Sequence, residues 1–201
     1  MPRPRQHSDD AILDKAIEVF WSHGFAATSM RDLSDACGLG VAALYNRFAS
    51  KDGLFAAALR HYADQGLRER LARVAQDPSP LRAIAAFLEE LIEMSVSDPA
   101  RRGCLLVNTA LDGAVLPEAA RSLVRERLGE IETFFRERLR EARAEGTIPG
   151  TIQPAAMAES LLGTVIAIRV LARLDPDPRK LRRLARTALS QLERPTKQRI
   201  Q

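Results

Sequence analysis

The sequence predicts an all-α chain: an N-terminal three-helix domain built around a helix-turn-helix, followed by a larger C-terminal helical domain. Three observations predict it. Apolar residues recur at three- and four-residue spacing through most of the 201 positions. Aromatics make up only 5%, while alanine, leucine and arginine abound, a bias toward helix. No alternating run rich in Val, Ile, Thr and Tyr is long enough for a strand.

Each element has its own local signals. Residues 1–7 hold two prolines and two arginines and read as a flexible basic arm. Ser8 can cap a first helix, with Asp9 and Asp10 near the positive end of its dipole. Ile12, Ala16, Val19 and Phe20 form its expected buried stripe, and His23-Gly24 its end. In residues 29–48, SMRDLSDACGLGVAALYNRF, Ser29 is an N-cap and Asp32 can reach back as a capping box. Leu33 and Ala36 are placed on the inner face of the second helix. Gly38 supplies the left-handed turn, and Leu44 and Phe48 point at the core from the third helix. Two short helices so joined are a helix-turn-helix, whose second helix suits a DNA major groove.

Ser50 caps a fourth helix that runs from Lys51 into the 70s through Leu54, Phe55, Ala58, Leu59 and Tyr62. Asp77-Pro78-Ser79-Pro80 breaks it. Further helices are expected over 80–97, over a short apolar segment at 103–111, and from Pro117 to near Gly146. Two more are expected at 155–174 and 179–192, separated by Asp175-Pro176-Asp177-Pro178. The domain reading is therefore a basic arm at 1–7, a helix-turn-helix domain at 8–50, and a connecting helix at 51–76. A helical domain at 77–193 and a disordered tail at 194–201 complete it.

The net charge is +4, unevenly spread. Residues 1–52 carry seven acidic and six basic side chains, whereas 177–201 carry eight basic and two acidic. Bulk charge is therefore no argument for DNA binding by the N-terminal domain. Cys37 and Cys104 give neither a disulfide framework nor metal spacing. His7, His23 and His61 form no cluster that suggests a metal. No Ser-His-Asp, paired-carboxylate or phosphate-loop arrangement points to catalysis. No cofactor, catalytic residue or metal ligand is expected, so the chain is not read as an enzyme. No apolar leader opens the sequence, and the run Leu161–Ile168 is short of a membrane span and ends at Arg169. No membrane partner is expected, and a reducing cytoplasm is the default location.

Residues 16–55, AIEVFWSHGFAATSMRDLSDACGLGVAALYNRFASKDGLF, resemble a TetR-family transcriptional regulator. The resemblance rests on Gly24, Thr28-Ser29, Leu44-Tyr45-Asn46-Arg47-Phe48 and Ser50-Lys51-Asp52. It implies an N-terminal DNA-binding domain and a C-terminal domain for ligand binding and dimerisation. The expected function is repression from a palindromic operator as a homodimer, released by a small-molecule effector. The alternative is a helical protein-interaction or small-molecule-binding module without operator-specific DNA binding.

The resemblance places the start of the third helix, Gly40-Val41-Ala42-Ala43, in the groove. Val41 and Ala42 can touch thymine methyls but offer no bidentate base contact; small residues there also simply let the helix sit close. Base reading then falls on Asn46 and Arg47, or on DNA shape. Tyr45 faces outward, with a hydroxyl suited to a phosphate. Thr28 and Ser29 precede helix amides that can hold another; capping alone also explains Ser29. Lys51 stands in a first helical turn, where a phosphate would offset the unfavourable dipole. Arg3 and Arg5 are candidates for the minor groove, or an untethered terminus. Arg102-Gly103-Cys104-Leu105-Leu106-Val107-Asn108 resembles a segment of the ligand-binding half in one branch of the family. That implies an effector or thiol-sensing role for Cys104 and Asn108, with Arg101 and Arg102 as neighbours that can stabilise a thiolate; a buried core cysteine is the competing reading. Cys37 is expected to be a small buried residue. The apolar helix 155–174 and the basic helix 179–192 resemble the pair through which the family dimerises as a four-helix bundle.

Overall fold

The computed structural model describes residues 8–193, so Arg3, Arg5 and the 194–201 tail lie outside the described residues. The described residues form helices and no strand. Helix α1 spans Asp9–Ala27, α2 Met30–Cys37, α3 Val41–Phe48 and α4 Lys51–Ala63. A π-helical turn, Asp64–Arg68, continues α4 into α5, Glu69–Val74. Then come α6 (Pro80–Val96), α7 (Leu105–Asp112), α8 (Glu118–Ala144), α9 (Pro154–Leu174) and α10 (Pro178–Ser190).

The chain divides into two compact units, one formed by residues up to Glu69 with Cys104–Arg127, the other by Arg70–Gly103 with the chain from Leu128 onward. Leu105, Leu106 and Val107 are buried, and α7 lies against α1 and α4. An apolar segment distant in sequence has joined the N-terminal core, which local pattern alone cannot announce.

The first unit packs around aromatic rings from α1 and α4. Phe55 lies 4.7 Å from Phe20 and 4.9 Å from Phe25 between ring centroids. Ile12, Ala16, Leu33, Leu44, Leu54 and Leu59 close this core. α1 breaks at Gly24, where its end was expected: φ there is 78°, and a further turn continues to Ala27. On α2 the buried pair is Leu33 and Cys37, four residues apart; Ala36 is exposed. Arg127 is buried in this unit with 2% exposure. It pairs with Asp64 of the π turn at 3.2 Å and with Glu126 at 3.3 Å.

The second unit packs Phe87 of α6 against Phe134 and Phe135 of α8, with centroids 5.7 and 5.4 Å apart. α6 also packs on α9 and α10. Leu161, Val165 and Ile168 of α9 and Leu181 of α10 are buried there. α9 is long and apolar enough to cross a membrane by length and composition, but this buried stripe is what a core helix needs. α10 starts where Asp177 accepts a hydrogen bond from the Arg179 amide at 2.8 Å.

Candidate nucleic-acid interface

The helix-turn-helix is fixed by its caps. The Ser29 hydroxyl accepts from the Asp32 amide at 3.2 Å, and the Ser29 amide donates to the Asp32 carboxylate at 2.8 Å. This reciprocal box satisfies two amides that the helix start leaves without partners. The bond from the Ser29 backbone, then that from its hydroxyl, holds the Asp32 carboxyl below the ordinary aspartate range. Gly38 ends α2 in the left-handed conformation, with φ 66° and ψ 30°, and the chain turns into α3.

α3 is anchored on one side. Leu44 is wholly buried and Phe48 half-buried. The opposite face is open: Val41 is 36% and Tyr45 46% exposed, and Ala42 and Asn46 are exposed with them. The face offers methyl contacts at its start and a hydroxyl and an amide further along.

A close approach sets the angle at which α3 leaves the support. A Cβ on Gly53 would stand 2.1 Å from the Phe48 carbonyl oxygen. Only glycine lets the first turn of α4 press against the end of α3. Ser50 caps that turn, accepting from the Gly53 amide at 3.0 Å. Gly53 was not singled out in the sequence, because nothing local announces contact with a carbonyl five residues earlier.

The remaining expected DNA contacts divide. Ser29 is exposed at the start of α2. Arg47 is held near Asp9 of α1, with Nε 3.5 Å from Oδ1, so it must be drawn from that carboxylate to read a base. The Thr28 side chain serves the fold, while the phosphate expected here falls to the helix amides that follow it. Thr28 is buried, and its hydroxyl donates to the Gly24 carbonyl at 2.7 Å. Lys51 is also engaged within the fold. Its ammonium donates to the carbonyls of Phe25 and Thr28 at 3.0 and 2.9 Å and lies 4.2 Å from the Phe25 ring centroid. Two carbonyls and a ring face offset the unfavourable dipole where a phosphate was expected to do so.

The two cysteines differ. Cys37 is buried, and loss of solvent pushes its thiol above the usual range, which makes it inert at neutral pH. Cys104 is half-buried at the start of α7, where the Tyr62 hydroxyl donates toward its sulfur at 3.8 Å. The Asn108 backbone N–H donates to the Cys104 carbonyl at 2.8 Å, so the two residues are one turn apart. The Arg102 guanidinium pairs with Asp98 at 3.4 Å. Among the described residues, no group of three or more His, Cys, Asp or Glu could hold a metal ion.

Residues 12–58 match the family model described as bacterial regulatory proteins, tetR family. Residues 80–188 match the tetracyclin repressor-like C-terminal domain. The chain is 29% identical over 188 residues to the HTH-type transcriptional repressor ComR of Escherichia coli K12, covering 93% of this chain and 90% of that protein. Among solved structures, it is similar to a cysteine mutant of the TetR family transcriptional regulator CifR complexed with a 26-base-pair double-strand operator DNA. Identity is 32%, coverage 94% of this chain and 98% of that one, and the TM-score 0.84. The reduced form of E. coli NemR has the same fold, at 19% identity and a TM-score of 0.82, over 94% of this chain and 98% of that one.

Proposed function

Because the chain belongs to the TetR family of bacterial transcriptional regulators, we propose that it is a repressor that holds a palindromic operator as a homodimer and is released by a small-molecule effector. The observation that carries the reading is the open outer face of α3, with Val41, Ala42, Tyr45 and Asn46 displayed and Leu44 locked beneath. A short rigid helix so presented is what a major groove admits. ComR is named a repressor and CifR was captured on operator DNA; both support the same role here.

In this reading Tyr45 and the start of α2 at Ser29 meet phosphates, and Val41 and Ala42 lie against bases. Asn46 and Arg47 read base edges, and Arg3 and Arg5 serve the minor groove. Thr28 and Lys51 shape the platform from within. Two copies join through α9 and α10. The second face of α9 supports this: Leu162, Ile166 and Val170 are half-buried and Leu174 exposed, an apolar row at helical spacing. A half-buried thiol beside a phenol at Cys104, with Asn108 one turn on, is the place where a thiol-reactive effector would act. The protein works in the cytoplasm, with no catalytic step of its own.

Titration of the full-length protein against DNA upstream of its own gene, beside a scrambled duplex of equal length, tests the reading. Selective binding that weakens steeply with salt is expected. Equal affinity for both duplexes would instead favour a protein-interaction module. Cys104→Ser should abolish oxidant-induced release while leaving operator binding intact; retained release would remove the sensor role.

A further inference from the structure

Among the described residues two arginines are buried, Arg127 and Arg169, and they are compensated differently. Arg127 has two carboxylates within hydrogen-bonding reach, Asp64 and Glu126. Arg169 of α9 is 5% exposed, and among the described residues no carboxylate lies within the 4 Å of a salt bridge. Its recorded partner is neutral: Nη1 donates to the Ser95 hydroxyl of α6 at 2.9 Å. Ser95 is itself buried and donates onward to the Leu91 carbonyl at 2.7 Å. One of the five N–H donors of the guanidinium is thereby satisfied, and its charge is not.

Burying a cation without a counter-ion is unfavourable. Helix α9 could avoid that cost with any apolar residue at this position. Arg169 stands beside Ile168 on the inward stripe of α9, with Leu161, Val165 and Ala172, all buried within one subunit. A second copy docked on the opposite face of α9 would therefore not reach it. An anion paired with it would come from solution.

We propose that Arg169 is the anchor for an anionic effector, a small molecule with one carboxylate and an apolar body. The planar guanidinium fork matches a carboxylate through two parallel hydrogen bonds. Val165, one turn before Arg169 on α9, and Leu91 and Ile92, one turn before Ser95 on α6, are buried apolar residues that suit an apolar remainder. Ser95 holds the guanidinium in position through a neutral bond that leaves its charge for the ligand. The proposal rests on the effector-release reading above and adds a ligand of its own, an acid held in the second unit, distinct from any thiol-reactive species acting at Cys104 in the first.

The test uses the full-length protein, with octanoate and benzoate as probes and octanamide and benzamide as neutral counterparts of the same shape. Calorimetry and thermal melting are read in parallel with operator binding. At least one acid should bind, raise Tm and bind at least tenfold more tightly than its amide. Arg169→Met should raise the Tm of the unliganded protein, because it removes an uncompensated charge, and should abolish the response to acid. Arg169→Lys, which keeps the charge without the fork, should retain a weakened response. Equal binding of acid and amide, binding of neither acid, or full acid affinity in Arg169→Met would each overturn the proposal. A fall in Tm in Arg169→Met with acid binding unchanged would make Arg169 a structural strut instead. Operator binding measured on the same samples keeps the outcomes apart: intact DNA selectivity with no acid response sinks the anchor and leaves the repressor standing.

Discussion

Helices α3 and α10 divide the properties usually sought together in a DNA-binding helix. α3 has eight residues and a single basic side chain, Arg47, which is near Asp9. α10 has thirteen residues and five basic ones, Arg179, Lys180, Arg182, Arg183 and Arg186. Yet α10 buries Leu181, Ala185 and Ala188 and ties Arg182 to Glu89 of α6 at 2.6 Å, while α3 displays its outer face. The difference teaches that presentation decides which helix docks. Positive charge acts over distance and is screened by salt, whereas groove entry needs a rigid protruding surface whose supports stay put.

The comparison can be broken most severely at the support. Leu44→Ala should cost about 2–5 kcal/mol, seen as a lower denaturant midpoint, and should reduce operator affinity by loosening α3. Affinity unchanged in a protein so destabilised would mean α3 is not the docking element. Arg47→Ala comes next. About 1–3 kcal/mol of discrimination at one operator position should vanish, read by selecting bound sequences from a random pool. Asp9→Asn, which leaves Arg47 less restrained, should sharpen that same preference.

Ser29→Ala removes the α2 cap and should cost about 1 kcal/mol in thermal melting. The same box gives a pH dependence. The folded Asp32 carboxyl lies below the ordinary aspartate value, so its contribution is fully present above that value. It is lost as pH falls through the folded one, below about pH 4. Ser29→Ala should flatten this acid limb of the stability curve. Tyr45→Phe should weaken binding to specific and nonspecific DNA alike and lower the salt slope by about one. The smallest effect is expected in α10: Arg182→Ala should leave both operator affinity and its salt slope unchanged in the same titrations.

The N-terminal helices were legible because their signals are local. Ser29 with Asp32, Gly38, Leu44 and Ser50 each act within a few residues, and each stands where its spacing placed it. What escaped depends on neighbours distant in sequence. The Lys51 ammonium lies on carbonyls more than twenty residues earlier, so a residue read as a phosphate contact also ties the fold internally. Thr28 turned inward because Gly24 breaks α1 and leaves a carbonyl to satisfy. The placement of 104–127 with the first unit, and the burial of Arg169, follow from packing between helices whose order in space no periodicity encodes. The open face of α3 was therefore expected, whereas the fate of the cations around it was not.

The grip of Lys51 on Phe25 and Thr28 has a mechanical consequence. It fastens the leading turn of α4 to the joint between α1 and α2, as a bolt fastens a lever to its pivot plate. A twist applied along α4 then cannot dissipate as slippage at that joint. It must turn the whole three-helix head, so a small rotation of the lever becomes a change in the bearing at which the head meets its track.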